Sequence, residues 1–242
     1  MANSELITID IIKTDLAAIG IRDGDSVFFH SSLKSIGHVE HGADTELDAF
    51  LETLGEDGTL IPPALCKYDW DNMDSNAVAK AWDINNTPTF TGLIPETFRK
   101  RQGTIRSDNP THSVTAFGHF AVDITKDHKN AYGAEWAVNR PYWASPGAFG
   151  ISSPWDKLYD IDAKYLLIGV DFNSCTIIHH VQVMYLEKYL KQKDEYAEWP
   201  VFSFPQMGEK LKEKGIVKYG KIGNAETMMM SSREIVDIAL QI

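Results

Sequence analysis

The sequence predicts an α/β fold built on a mixed central β-sheet flanked by helices. Three observations predict it. Segments of helical and strand-like period interleave along the chain. Tyr165-Leu166-Leu167-Ile168-Gly169-Val170 is continuously apolar, the pattern of a strand covered on both faces. Hydrophobic residues make up 43% of the 242, with six Trp and eleven Phe, enough surface to offset the entropy of ordering the backbone. At this length one domain over 1–242 is expected, with excursions at about 62–91 and 132–155.

From the N-terminus, Ile7 to Ile19 has near-helical apolar spacing and stops at Gly20. Ser26 to His30 reads as a strand, and Asp44 caps a helix from Thr45 to Leu54 that Gly55 and Gly58 end before the strand Thr59 to Ile61. Pro62 to Thr91 has no clean period and reads as a long, acid-rich and aromatic loop with room for one helical turn. Leu93 to Arg101 is helical, Ser113 to Phe117 strand-like and Phe120 to Lys126 a short helix. Tyr132 to Trp155, with three Pro and three Trp, is an ordered excursion. After the strand at 165–170 comes a long helix from Thr176 to Leu190. The tail gives a helix over Glu209 to Lys214, a strand over Ile216 to Ile222, and an amphipathic helix from Ser231 to Leu240.

Composition excludes several function classes. No apolar run reaches the roughly 18 residues of a membrane span, and Met1 to Leu6 lacks the basic then apolar order of a secretory signal, so a cytoplasmic protein is expected. Cys66 and Cys175 cannot form a disulfide framework and show no zinc spacing; no metal is expected. A net charge of −11 repels nucleic acid and suits solubility or a cationic ligand.

Three segments can carry chemistry. His30-Ser31-Ser32-Leu33-Lys34-Ser35-Ile36-Gly37 follows a buried strand, where small residues let backbone N–H groups approach a phosphate or amide; its ordinary alternative is a serine turn capping a helix. Arg106-Ser107, with His112-Ser113 a few residues on, sets a guanidinium fork in a loop, for a phosphate or merely as a packed stem. At the head of the long helix, Cys175, Thr176 and His179 share one face, either a base-catalytic site or a core histidine beside a buried cysteine.

Together with Gly58-Thr59-Leu60, Thr87-Pro88-Thr89, Gly92-Leu93-Ile94-Pro95-Glu96, Phe98-Arg99, Pro110 to Val114, Gly118, Ser153-Pro154, Lys157-Leu158-Tyr159, Leu166 to Val170, Ile222 to Ala225 and Asp237, these segments lie in one order. That order resembles the aminoglycoside 3-N-acetyltransferase family over almost the whole chain. The resemblance implies that family's fold, distinct from the small acetyltransferase superfamily. It also implies acetyl-CoA as co-substrate, bound by 30–37 with Arg106, Ser107, His112 and Ser113, and direct transfer in a ternary complex. His179 matches the family's catalytic base. The chain departs from the family at Gln182, where Glu is usual, at Asn109, where His is common, and at Cys175, where Asn is frequent.

An amine attacks a thioester only when unprotonated, so a base must take its proton; His179 is the candidate, oriented by Gln182, with Thr176 or a backbone N–H donating to the oxyanion. The partner is then a small-molecule amine, with Tyr68, Asp69, Trp82 and Asp83, beside Trp70, Asp71 and Asp74, able to hold a cationic amino sugar; a solvated acidic loop is their ordinary alternative. An amine outside antibiotic resistance, or a nucleotide-linked amino sugar, is the rival acceptor. Cys175 as a nucleophile and a non-catalytic CoA- or sugar-binding protein are the rival mechanisms. A homodimer is expected from the general frequency of twofold oligomers.

Overall fold

The computed structural model describes residues 6–69, 71–141, 147–191 and 197–242. Its strands are β1 (Leu6–Ile7), β2 (Ser26–Ser31), β3 (His38–Val39), β4 (Thr59–Ile61), β5 (Ile105–Arg106), β6 (Thr115–Gly118), β7 (Lys164–Ile168), β8 (Lys218–Ile222) and β9 (Ala225–Ser231). Its helices are α1 (Ile9–Ile19), α2 (Leu33–Ile36), α3 (Ala43–Leu54), α4 (Ser75–Ala81), α5 (Leu93–Arg99), α6 (Ala121–Thr125), α7 (Pro154–Asp160), α8 (Ile177–Tyr185), α9 (Phe204–Glu213) and α10 (Ser232–Ala239). Among the described residues no helix is long and apolar enough to cross a membrane.

Seven strands form one mixed sheet in the order β5-β6-β4-β2-β7-β9-β8, and β1 pairs with β3 beside it. The centre, β4-β2-β7, is parallel, and every other pair in the large sheet is antiparallel. Successive side chains on a strand point to opposite faces, and β2 and β7 use both. Phe28, Tyr165 and Leu167 enter a core with Trp155 and α8; Val27, Phe29, Leu166 and Ile168 enter a second core with α1 and α3. Phe28 stacks on Tyr165 at 4.8 Å and meets Trp155 edge-on at 5.0 Å, contacts of about 0.5–1.5 kcal/mol each beyond area burial.

Most expected elements are present. Gly20 ends α1 in the left-handed region at φ 112°. The long loop holds α4, capped by the Asp74 carboxylate on the Ala77 N–H. The long helix from 177 passes into a π-helical turn, Leu186–Leu190. The elements not anticipated include the two-residue strands β1, β3 and β5, the longer β9, and α7, whose Ser153 cap and Pro154 lie in the expected excursion. Of that excursion, 142–146 lie outside the described residues, as does Trp70.

Parallel strands leave their ligand sites at their C-terminal ends. Here those ends are Ser31, Ile61 and Ile168. Beyond β4 the chain keeps pairing with the segment before β6, through Ala64 N to Ser113 O at 2.8 Å and Cys66 N to Thr111 O at 3.0 Å. That pairing carries His112 to the same end of the sheet as His30. After β7, Gly169 at φ 62° lets the backbone pass Ser35, since a Cβ there would stand 2.3 Å from the Ser35 Cβ.

Candidate active site

A cleft of about 350 Å³ opens at this sheet end. His30 and Ser31 from β2, His112, and Thr176 and His179 at the head of α8 line it, with Phe90, Pro95 and Phe204 among its apolar walls. The sequence thus places its candidate base, Thr176, two residues of the first loop and His112 in one cavity.

His179 is held in a defined tautomer. The Pro200 carbonyl can only accept, so the Gln182 amide nitrogen, 2.7 Å away, faces it and donates. The Gln182 Oε1 therefore faces His179 Nδ1, also at 2.7 Å, and must accept from it. Nδ1 carries the hydrogen and Nε2 carries the lone pair. Two rings pack on the imidazole, Phe149 and Phe204, each at 4.8 Å between centroids. Burial among them pushes its pKa down to about 4, against the opposing hydrogen bond to Gln182, so the ring is neutral at pH 7.

A second network lies beside it. Thr176 Oγ1 is 2.9 Å from His30 Nε2 and 3.2 Å from the Ser174 carbonyl; Tyr165 Oη is 3.1 Å from the same His30 nitrogen. Burial lowers His30 to about 3 and holds His112 well below its ordinary value, the latter also through His179 and His128. His112 packs on Phe149 at 4.5 Å, so one phenyl ring touches the imidazoles of both His112 and His179. His180, the neighbour of His179, bonds through Nδ1 to the Phe149 carbonyl at 2.7 Å and so anchors that ring. Cys175 is fully buried, and burial pushes its thiol up to about 12, which leaves no thiolate at neutral pH.

The remaining predicted residues take other places. Ser32 caps α2, accepting from Ser35 N, and Leu33 and Ile36 pack into the second core. Lys34 is exposed, and Gly37, at φ 112°, leaves room for the Asn224 amide. Arg106 is buried with all five donors engaged: Nε on Ser113 Oγ, Nη1 on the Ile84 and Thr87 carbonyls, Nη2 on the Ala64 carbonyl and the Cys66 sulfur. It ties the long loop to the sheet and has no N–H left for a phosphate. Ser107 and Ser113 are fully buried, bonded to His128 and the Ala64 carbonyl.

None of the four predicted acceptor residues lines the cleft. Tyr68 donates to the Pro110 carbonyl at 2.8 Å, and Trp82 packs under the Arg106 guanidinium. Asp83 is exposed and accepts from Asn85 N, Asn86 N and the Asn86 amide, closing its own turn; Asp69 accepts from Asn72. Of these four, Asp69 and Asp83 are exposed while Tyr68 and Trp82 are partly buried.

A second recess of about 870 Å³ adjoins the cleft and shares Val170 and Ser174 with it. Ser35, Lys212, Tyr219 and Asn224 line it. Sequence reasoning did not single out Phe149, Pro200, Phe204, Lys212 or Tyr219. Only the Ser203-Phe204-Pro205 cap and first turn of α9 offered a local signal.

The sequence profile described as aminoglycoside 3-N-acetyltransferase matches residues 28–242. The chain belongs to this family. It is an N-acetyltransferase, with acetyl-CoA as co-substrate. It is 28% identical over 259 residues to the SPbeta prophage-derived aminoglycoside N(3')-acetyltransferase-like protein YokD of Bacillus subtilis (strain 168), covering 94% of this chain and 89% of that one. It is 25% identical over 276 residues to aminoglycoside N(3)-acetyltransferase VII of Streptomyces paromomycinus, covering 95% and 88%. The YokD crystal structure superposes with a TM-score of 0.79 at 27% identity, over 98% of this chain and 93% of that one. AAC-IIIb, solved as a binary complex with CoASH, superposes with a TM-score of 0.78 at 21% identity, over 98% and 96%, and so shares the fold. Among the described residues no group of three or more His, Cys, Asp or Glu is gathered to hold a metal ion.

Proposed function

We propose that the chain moves an acetyl group from acetyl-CoA directly to an amino group of an aminoglycoside or other amino sugar, with His179 as general base. The observation that carries the reading is the Pro200–Gln182–His179 chain, which fixes a neutral imidazole with its lone pair on Nε2 inside a cleft. The acyl donor fits the two joined recesses. Its long arm has a path past Val170 and Ser174, with Tyr219 in the outer recess for adenine and Lys212, once released from its exposed pair with Glu209, for phosphate. The acceptor amine enters beside His179 and loses its proton to Nε2 as it attacks. Phe149 and Phe204 exclude water from that proton transfer. The protonated Cys175 thiol supports direct transfer over a covalent route.

The relative from Streptomyces paromomycinus bears the name of an enzyme acting on aminoglycosides, and this supports the same acceptor class here. One observation favours a second acceptor. Among the described residues lining the cleft there is no carboxylate to match a polycation. A less charged amine, such as a nucleotide-linked amino sugar, fits that lining better. A thiol-release screen with acetyl-CoA against aminoglycosides, nucleotide-linked amino sugars and simple amines decides. Turnover with an amino sugar of either kind is the expected result, and release with none of the amines refutes transferase activity.

A further inference from the structure

Ser31 stands out because its Oγ is sealed from solvent and has no hydrogen-bond partner. Buried hydroxyls are rarely left so, and an orphan in a native fold calls for an explanation. It ends β2, one of the three parallel strands that converge on the site, and it lines the cleft that also holds His179 and Thr176.

The alternation along β2 sets its direction. His30 shares a face with Phe28 and reaches Tyr165 and Thr176, on the side of α8. Ser31 shares the opposite face with Phe29 and pairs in register with Ile168. His179 and Ser31 thus reach the cleft from opposite faces of the sheet. A reacting carbonyl requires that division: the nucleophile and its base on one side, and a donor to the oxygen away from them. Thr176, the sequence's candidate for that donor, is already engaged. Its hydroxyl has one hydrogen and two built-in neighbours, His30 Nε2 and the Ser174 carbonyl.

Building on the proposed transferase reading, we infer that Ser31 is the oxyanion donor of the reaction. The amine nitrogen bonds to the thioester carbon, and the carbonyl π pair moves onto oxygen, where the Ser31 O–H, turned into the cleft about its Cα–Cβ bond, donates to it. The amine's proton passes to His179 Nε2. The oxygen pair then re-forms the carbonyl, the C–S bond breaks, and the sulfur leaves with its electron pair and takes up that proton as the thiol. An amide and free CoA result, and Ser31 is unchanged.

The experiment compares wild type, Ser31→Ala, Ser31→Thr and His179→Ala with the best amine from the screen. It follows kcat, acetyl-CoA affinity by calorimetry, and the infrared carbonyl stretch of bound acetyl-CoA without acceptor. Ser31→Ala is expected to lower kcat about 10²–10³-fold while acetyl-CoA affinity holds and the carbonyl stretch moves to higher frequency. Ser31→Thr, which keeps a hydroxyl, recovers most of the rate. Three outcomes overturn the assignment: Ser31→Ala with unchanged kcat, a loss confined to acetyl-CoA affinity, or a carbonyl stretch identical to wild type. If Ser31→Ala is active while His179→Ala is dead, the oxyanion role alone falls. Full activity in His179→Ala removes the base from the transferase reading, and a wild type inert toward every amine removes both.

Discussion

Gln182 bridges the His179 ring and the Pro200 carbonyl, and its removal is the sharpest test of how the imidazole is held. In Gln182→Ala, a residue only 4% exposed, both the His179 Nδ1–H and the Pro200 carbonyl lose their partner. An unpaired buried polar group costs about 1–3 kcal/mol. The ring is then also free to move its hydrogen to Nε2, which destroys the base. A loss of that size in the transition state lowers kcat by about 10–100-fold. Gln182→Glu acts in the other direction on basicity. A carboxylate within 2.7 Å of Nδ1 favours the imidazolium, and an opposite charge at that range raises a pKa by about 1–3 units. The acid limb of kcat/KM, set in wild type by a His179 held near 4, then shifts upward in the variant. Thioester consumption at saturating acetyl-CoA, with one acceptor throughout so that its own ionisation cancels, measures both. An alanine variant that folds and keeps kcat within about twofold, with an unmoved acid limb in the glutamate variant, refutes the reasoning.

Removing the second ring, in Phe204→Ala, admits water to His179 and relieves the burial that depresses it. The groups facing the ring there are His112, Gln182 and Phe149, none of them anionic. The acid limb of kcat/KM should therefore rise from about 4 toward the ordinary histidine value, and an unchanged limb contradicts the assigned cause. Elsewhere, Glu46 on α3 is fully buried with neither oxygen paired, and burial raises its pKa to about 8. Because the folded value lies above the ordinary carboxylate value, the neutral acid's contribution is complete below about pH 4 and is lost as pH climbs toward 8, on the order of 1.4 kcal/mol per pH unit. Urea midpoints at pH 5 and pH 8 should diverge more in wild type than in Glu46→Gln; equal divergence contradicts the buried, unpaired carboxyl.

The central strands and the helix carrying His179 were legible because their residues obey local rules. β4 was read at its full length, and β2 and β7 fell within a residue or two, since each is an apolar run bounded by turn residues. β9 was not legible. Its Met228-Met229-Met230 run has no β-branched residue, and pairing with β7 on one edge and β8 on the other makes it a strand. In the site, His179, Thr176, His30, Ser31 and His112 come from three separate segments that chain order alone linked. Arg106 and the acids of the long loop take partners that their sequence does not reveal, for one physical reason. A guanidinium or carboxylate suited to a ligand is equally suited to backbone groups, and here the fold supplies those first. Phe149, Phe204 and Pro200 act on the imidazole by contact across the fold, which no sequence spacing reveals.

Acetyl transfer by the proposed route depends on a single nitrogen, Nε2 of His179, receiving a proton. The direct measurement is kcat of His179→Ala at saturating acetyl-CoA and acceptor, with acetyl-CoA affinity checked separately. Loss of about 10²–10⁴-fold in kcat with affinity retained is predicted; turnover close to wild type contradicts the account.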